Sequence, residues 1–525
     1  MDAHSSTPVR MPIDLSLAPD CRVGDAAIHP SRLGVAGPLG EVTIEPRVMQ
    51  VLVVLCEAGG ATVSRETLLD RCWPGVTVGD DAVNRAIAEA RRALRDSGAG
   101  AAIETVPRVG YRIEGLGNDA VPAPNARTEA SAPSARRRAV LAGGGLLAVG
   151  AAAGTWWWAS RPTRDPRVQT LLDSGRQALR EELPGRNAQG LGFLQEAARR
   201  APDDAEVLGL LSVAWRNAAE YAPAEGAAAA ARMCETTARR ALRIDPDEGN
   251  ALSALATLQP FYGDWAASER RLLSVLEKAP EAIPAITHLT ALYQSSGYLR
   301  ESRERNEQAL KLDPLSPVFQ FRGALKHWID GDVASADAAI DRAIELWPRH
   351  PAVWNTRLML YAYTGRADAA LTFLANGALR PASVPKPVLG LWRTVLDALA
   401  GVPGAAARAR DATLKAALAS VSGAHTALMY LSHVGDLDTA FEVADGFLLR
   451  RGPLAAAGQA GSRQTWVTDQ AWRRTMPLFT PATRPLRMDP RFAALAEGMG
   501  LTGYWKGRGT PDFIAADKRP VAAAA

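Results

Sequence analysis

Asp80-Asp-Ala-Val-Asn-Arg-Ala-Ile-Ala-Glu-Ala-Arg-Arg-Ala-Leu94 and, after a short gap, Ile103-Glu-Thr-Val-Pro-Arg-Val-Gly-Tyr-Arg-Ile113 decide how this chain is read. In the first stretch Val83, Ile87, Ala90 and Leu94 recur at helical spacing and form a narrow apolar stripe, with Asp80 or Asp81 as the cap. The opposite face carries Asn84, Arg85, Ala88, Glu89 and Arg92, with Arg91 and Arg95 at its edges. A short helix that turns arginines away from its core can read a major groove, because guanidinium forks reach guanine edges or phosphates. Arginines on a surface helix are also commonly just solvated, so the helix alone does not decide. The second stretch reads as a β-hairpin with Gly110 near its bend and Arg108, Tyr111 and Arg112 around it. Such a wing lies along a nucleic-acid backbone or reaches into the minor groove.

Upstream, Glu41-Val-Thr-Ile-Glu45 is strand-like, and a helix is expected from Pro46, a residue suited to a first helical turn. Val48, Val51, Leu52 and Leu55 then share one face. Ser64 precedes a second helix whose apolar side is Leu68, Leu69 and Cys72. The order EPRVMQVLVVL (45–55), VSRETLLDRCWPGV (63–76), DDAVNRAIAEARRAL (80–94) and IETVPRVGYRI (103–113) resembles the OmpR/PhoB-type winged-helix domain, within it most nearly the membrane-anchored regulators of the CadC/ToxR type.

That resemblance covers about residues 21 to 115 and implies an α+β winged helix-turn-helix that binds double-stranded DNA, with the helix from Asp80 to Asp96 in the major groove. It also implies that Asn84, Arg85, Ala88 and Glu89 face the bases. Arg91, Arg92, Thr105 and Tyr111 fall near phosphates, and Arg108 and Arg112 belong to the wing. Where two basic residues often precede the wing glycine, Arg108 is here followed by Val109, which implies a weaker wing. About twenty residues precede the head, read as a flexible tail (1–20), so control by a preceding phosphoacceptor domain is not expected.

With 525 residues the chain is too long for one core. A net charge of +4 is small for that length, so any basic surface must be local. Cys21, Cys56, Cys72 and Cys234 form no CxxC pair and have no histidine at ligand spacing, so neither a metal site nor a disulfide framework is expected. Cys234 stands alone in the C-terminal half, which leaves only an intermolecular bridge open to it if exposed.

Residues 116–138 turn to Ala, Pro, Ser and Arg and read as a flexible linker. Residues 139–159 (AVLAGGGLLAVGAAAGTWWWA) carry no charge, and 21 residues of helix would cross a bilayer core of about 30 Å. Arg136 to Arg138 on one flank and Trp156 to Trp158 on the other predict one transmembrane helix. It would leave the N-terminus cytoplasmic and the C-terminal part periplasmic at a bacterial inner membrane. A buried Ala/Gly-rich helix and a twin-arginine export signal are the competing readings. Gly150 and Gly154 have the spacing of a helix-dimer motif, which raises a homodimer.

The C-terminal half repeats. Gly263, Gly297, Gly331 and Gly365 lie 34 residues apart, as do Pro246, Pro280, Pro314 and Pro348; the same Gly-to-Pro offset joins Gly185 and Pro202. That period predicts helix-turn-helix units of the tetratricopeptide kind, an all-α solenoid over 165–451. Each Gly would sit in a turn, and Ala197, Ala309, Ala343 and Gly377 would let paired helices cross. Some ten extra residues fall near Ala222, and 452–525 reads as a cap and tail.

Together these readings give a multidomain chain: a membrane-bound, one-component transcription regulator whose repeats take a protein or peptide partner or a signal in their groove. The alternative is a tetratricopeptide scaffold whose winged helix docks protein rather than DNA. No Gly-rich phosphate loop, HExxH or GxSxG motif is present, so neither an enzyme nor a cofactor is expected.

Overall fold

The computed structural model describes residues 13, 15, 18–73, 80–107, 109–115, 164–222, 224–259, 261–456 and 474–518. They fall into two compact units, one up to Gln169 and one from Thr170 onward.

The first unit opens with a meander of four short antiparallel strands, β1 (Cys21–Val23), β2 (Ala26–His29), β3 (Gly34–Gly37) and β4 (Gly40–Thr43), each paired with the next. Helix α1 (Pro46–Glu57) starts on Pro46, whose missing N–H costs nothing there, and is buried along its whole middle, Val48 through Leu55. After β5 (Val63–Ser64), helix α2 (Arg65–Cys72) is capped by the Ser64 hydroxyl, which accepts from the Thr67 N–H at 3.0 Å. Helix α3 (Asp80–Asp96) packs on α1. The hairpin β6 (Ile103–Val106) and β7 (Gly110–Ile113) closes a second sheet in the order β5-β7-β6.

The second unit is all helix. Its paired helices are α4 (Pro166–Arg180) with α5 (Pro184–Arg200), and α6 (Ala205–Tyr221) with α7 (Ala224–Ile244). Then follow α8 (Gly249–Ala256) with α9 (Trp265–Lys278), α10 (Ile283–Ser296) with α11 (Leu299–Leu312), and α12 (Pro317–Ile329) with α13 (Val333–Leu346). The last pairs are α14 (Pro351–Tyr363) with α15 (Ala367–Ala375), α16 (Lys386–Leu399) with α17 (Ala405–Ala419), and α18 (Val421–His433) with α19 (Leu437–Leu449). Gly263, Gly297, Gly331 and Gly365 all take the left-handed conformation, φ +83°, +87°, +84° and +76°, that their turns require.

Gly185 does not follow that column. It lies inside the first turn of α5, and the left-handed residue before it is Glu182 (φ +48°). Gly377 is exposed beyond the end of the short α15, while Ala197, Ala309 and Ala343 are fully buried between helices. The extra residues near Ala222 go into a 21-residue α7, where α9, α11 and α13 have 14. Helical pairing continues to Leu449, and Gly435 (φ +80°) turns the last pair.

Four short helices end the unit: α20 (Arg484–Met488), α21 (Phe492–Gly498), α22 (Leu501–Arg508) and α23 (Phe513–Asp517). This tail contacts the last helices, α18 and α19, and also reaches back to α9, α10 and α11. Trp265 donates to the Met499 carbonyl at 2.9 Å and Trp505 to the Ser296 carbonyl at 2.8 Å. The Asp512 carboxylate accepts from the Leu299 and Arg300 N–H groups at 2.6 and 2.8 Å, capping α11 from a distant part of the chain. The other end is tied in as well, through Arg180 to Asp313 (2.9 Å) and His350 to the Glu181 carbonyl (3.0 Å).

One expectation is corrected. Among the described residues no helix is long and apolar enough to cross a membrane. The longest, α7, is amphipathic and carries Arg232, Glu235, Arg239, Arg240 and Arg243. Residues 139–159, with the Gly150–Gly154 spacing, lie outside the described residues. The architecture with one transmembrane helix and the single-pass inner-membrane placement are therefore replaced by a winged helix plus an all-α helical array. Cys234 is fully buried, its thiol pushed up to about 12, so it is not placed for an intermolecular bridge.

Candidate nucleic-acid interface

Helix α3 divides by burial as its sequence divides by polarity. Val83, Ile87, Ala90 and Leu94 are buried, joined by Ala86 and Ala93, while Asn84, Arg85, Ala88, Arg92 and Arg95 are exposed and Glu89 is half-buried. The core stripe is thus wider than the periodicity suggested, and the polar face narrower.

Several side chains expected to meet DNA also hold the head together. The Tyr111 ring is buried, 2% exposed, with its hydroxyl at the edge of α3. That hydroxyl donates to Asn84 Oδ1 at 2.9 Å and accepts from Arg65 Nη2 at 2.9 Å. The Arg65 guanidinium also lies over the Tyr111 ring, 5.4 Å from its centre. Asn84 is therefore held by its oxygen, which leaves its amide hydrogens to point elsewhere. Arg65, at the start of α2, carries no periodic signal; its partner is 46 residues away, and only the fold brings them together.

Arg91 spans from α3 to the hairpin, its Nε–H donating to the Ile103 carbonyl and its Nη2 to Thr105 Oγ1, both at 2.8 Å. It orients the wing against the helix, and Thr105 remains exposed. Arg112 faces Glu104 across the hairpin, donating to its carboxylate at 2.6 Å, with Glu114 at 3.4 Å. Two carboxylates thus offset its charge. Arg108 lies outside the described residues.

Gly110 lies beside the bend, as expected, and also closes the sheet. It pairs with Ser64 of β5, and a Cβ there would come within 1.9 Å of the Val63 carbonyl oxygen. Only a glycine lets the hairpin close on β5, the strand that leads directly into α2.

Concavities open in the helical array. An apolar cavity of about 260 Å³ is lined by Phe321, Leu325, Met359, Trp392 and Met429, with Met476 of the tail. A more polar cleft of about 870 Å³ is lined by residues including Arg176, Arg216, Asn250 and Lys278. Among the described residues no group of His, Cys, Asp and Glu is placed to hold a metal ion.

Comparison with known proteins agrees with this geometry. The family described as "Transcriptional regulatory protein, C terminal" matches residues 40–113. The transcriptional activator CadC of Escherichia coli is 32% identical over 97 residues, 18% of this chain and 19% of that protein. The transcriptional regulator HilA of Salmonella typhimurium is 40% identical over 73 residues, 14% of this chain and 13% of that protein. This chain thus matches less than a fifth of either relative's length. For the array, a tetratricopeptide repeat protein from Parabacteroides merdae is similar over 48% of this chain and 92% of its own, at 15% identity and a TM-score of 0.30. The head is an OmpR/PhoB-type winged-helix DNA-binding domain homologous to that of CadC, and the chain pairs it with a tetratricopeptide-like helical array.

Proposed function

We propose that the protein regulates transcription by laying α3 in the major groove, with Asn84, Arg85, Ala88 and Glu89 toward base edges. Arg92 and Thr105 then meet flanking phosphates, with Arg108 and Arg112 along the wing. Arg91 and Tyr111 act from behind, as the groups that fix the wing and Asn84. The observation that carries this reading is the Arg65–Tyr111–Asn84 chain of hydrogen bonds. An amide read by a base must hold one orientation, and here its oxygen is committed to the protein.

The array would receive a partner or signal that sets the activity of the head. Its support is an apolar cavity and a more polar cleft in a unit otherwise tied together at both ends. Selection from a random duplex pool tests the DNA-binding part. The full chain should enrich a defined sequence, whereas a pool that stays random over successive rounds would favour the protein-docking scaffold.

A further inference from the structure

The fold brings Cys21 and Cys56 together, although 35 residues separate them. Cys21 opens β1 and Cys56 is the penultimate residue of α1. Their Sγ atoms are 2.8 Å apart, against a bonded length of about 2.05 Å. Both residues are half-buried, so a small reagent can reach them. The other two cysteines differ in exposure: Cys72 and Cys234 are buried, and burial pushes both thiols up to about 12.

We propose that Cys21 and Cys56 form a reversible redox modification site in the DNA-binding head, closed to a disulfide by small disulfides of the glutathione class. The reaction is ordinary thiol–disulfide exchange. The Cys21 thiolate attacks one sulfur of the small disulfide, whose S–S bond breaks and releases one small thiolate. The Cys56 thiolate then attacks the Cys21 sulfur of the mixed disulfide and expels the second. Two cysteine thiols are oxidised and one small disulfide is reduced. The two protons leave with the two small thiols.

The local chemistry suits that order of attack. The hydrogen bond between the two sulfurs lowers the Cys21 pKa, while the same bond and burial raise that of Cys56. Asp20 and Glu57 border the pair and oppose thiolate formation, and Asp20 is itself engaged by His29 at 2.7 Å. Closing the bond ties the first strand to the end of α1, the helix on which α3 packs.

The test uses the purified full chain equilibrated with excess oxidised glutathione at neutral pH, then denatured, alkylated, digested and weighed. A peptide pair joined through Cys21 and Cys56 is expected, lighter than the two free peptides by two hydrogens and separated again by dithiothreitol. Cys72 and Cys234 should be recovered alkylated. The double variant Cys72→Ser/Cys234→Ser should give the same linked pair, which keeps the test independent of how Cys21→Ser or Cys56→Ser folds. Recovery of Cys21 and Cys56 as free thiols, or as separate glutathione adducts without the linked pair, would overturn the proposal.

Discussion

At the scale of single residues, the head turns on the Tyr111 hydroxyl, which joins Arg65 of α2 to Asn84 of α3. Replacing Tyr111 with Phe keeps the buried ring and deletes only the hydroxyl. Each lost hydrogen bond is expected to cost about 0.5–1.5 kcal/mol of stability. The more telling effect belongs to recognition: with its oxygen freed, Asn84 can flip, and discrimination at the base it reads should relax. Binding of Tyr111→Phe to the selected site and to single-base variants of it measures this. Unchanged discrimination would mean that Tyr111 only supports the fold. The polar face of α3 was legible in the sequence because one helix holds its whole pattern. The restraint on Asn84 was not, since it is assembled from three elements.

At the scale of elements, the repeat glycines look alike in sequence but differ in their surroundings. Gly331 needs its positive φ and has open space around it, whereas a Cβ on Gly297 would come within 2.4 Å of Phe513 and 2.9 Å of Phe479. Gly331→Ala should therefore cost only the left-handed conformation, roughly 1 kcal/mol. Gly297→Ala should cost that and also displace the tail, giving a total of about 2–4 kcal/mol. Denaturant unfolding of both variants checks the difference; equal losses would mean that the tail does not depend on this contact. The strict 34-residue spacing of glycines and prolines runs from α8 to α15, while the expected array extends beyond it. The short α15 and the long link from 376 to 385 shift the register, although Gly435 still turns the last pair. The docking of the tail on α9 to α11 left no periodic trace, because its contacts, such as Asp512 to Leu299, are single and distant in sequence.

At the scale of the whole molecule, the array is fastened where its first helices meet its middle, and that fastening should respond to acid. His350 is 4% exposed and donates from Nε2 to the Glu181 carbonyl. Burial lowers its pKa from 6.5 to about 4. The unfolded chain therefore binds this proton more readily than the folded one. Stability from this group is complete above about pH 6.5 and is lost as pH falls toward 4, roughly 3 kcal/mol in all. Buried carboxyls such as Asp313, raised by burial, act in the opposite sense, so the contribution is read as a difference. The stability of His350→Gln relative to the parent should improve between pH 6.5 and 4; a constant difference would show that His350 does not titrate as its burial implies. Residues 139–159 supplied the strongest membrane signal in the sequence and lie outside the described residues, among which no helix is long and apolar enough to cross a membrane.

DNA recognition by the exposed face of α3 is probed most directly at Arg85. Affinity of the full chain and of Arg85→Ala should be measured on the selected site and on random duplex at one fixed salt concentration. A loss of about 1–3 kcal/mol is expected on the selected site, with little change on random DNA. An equal loss on both would make Arg85 a phosphate contact, and no loss on either would contradict the placement of α3 in the major groove.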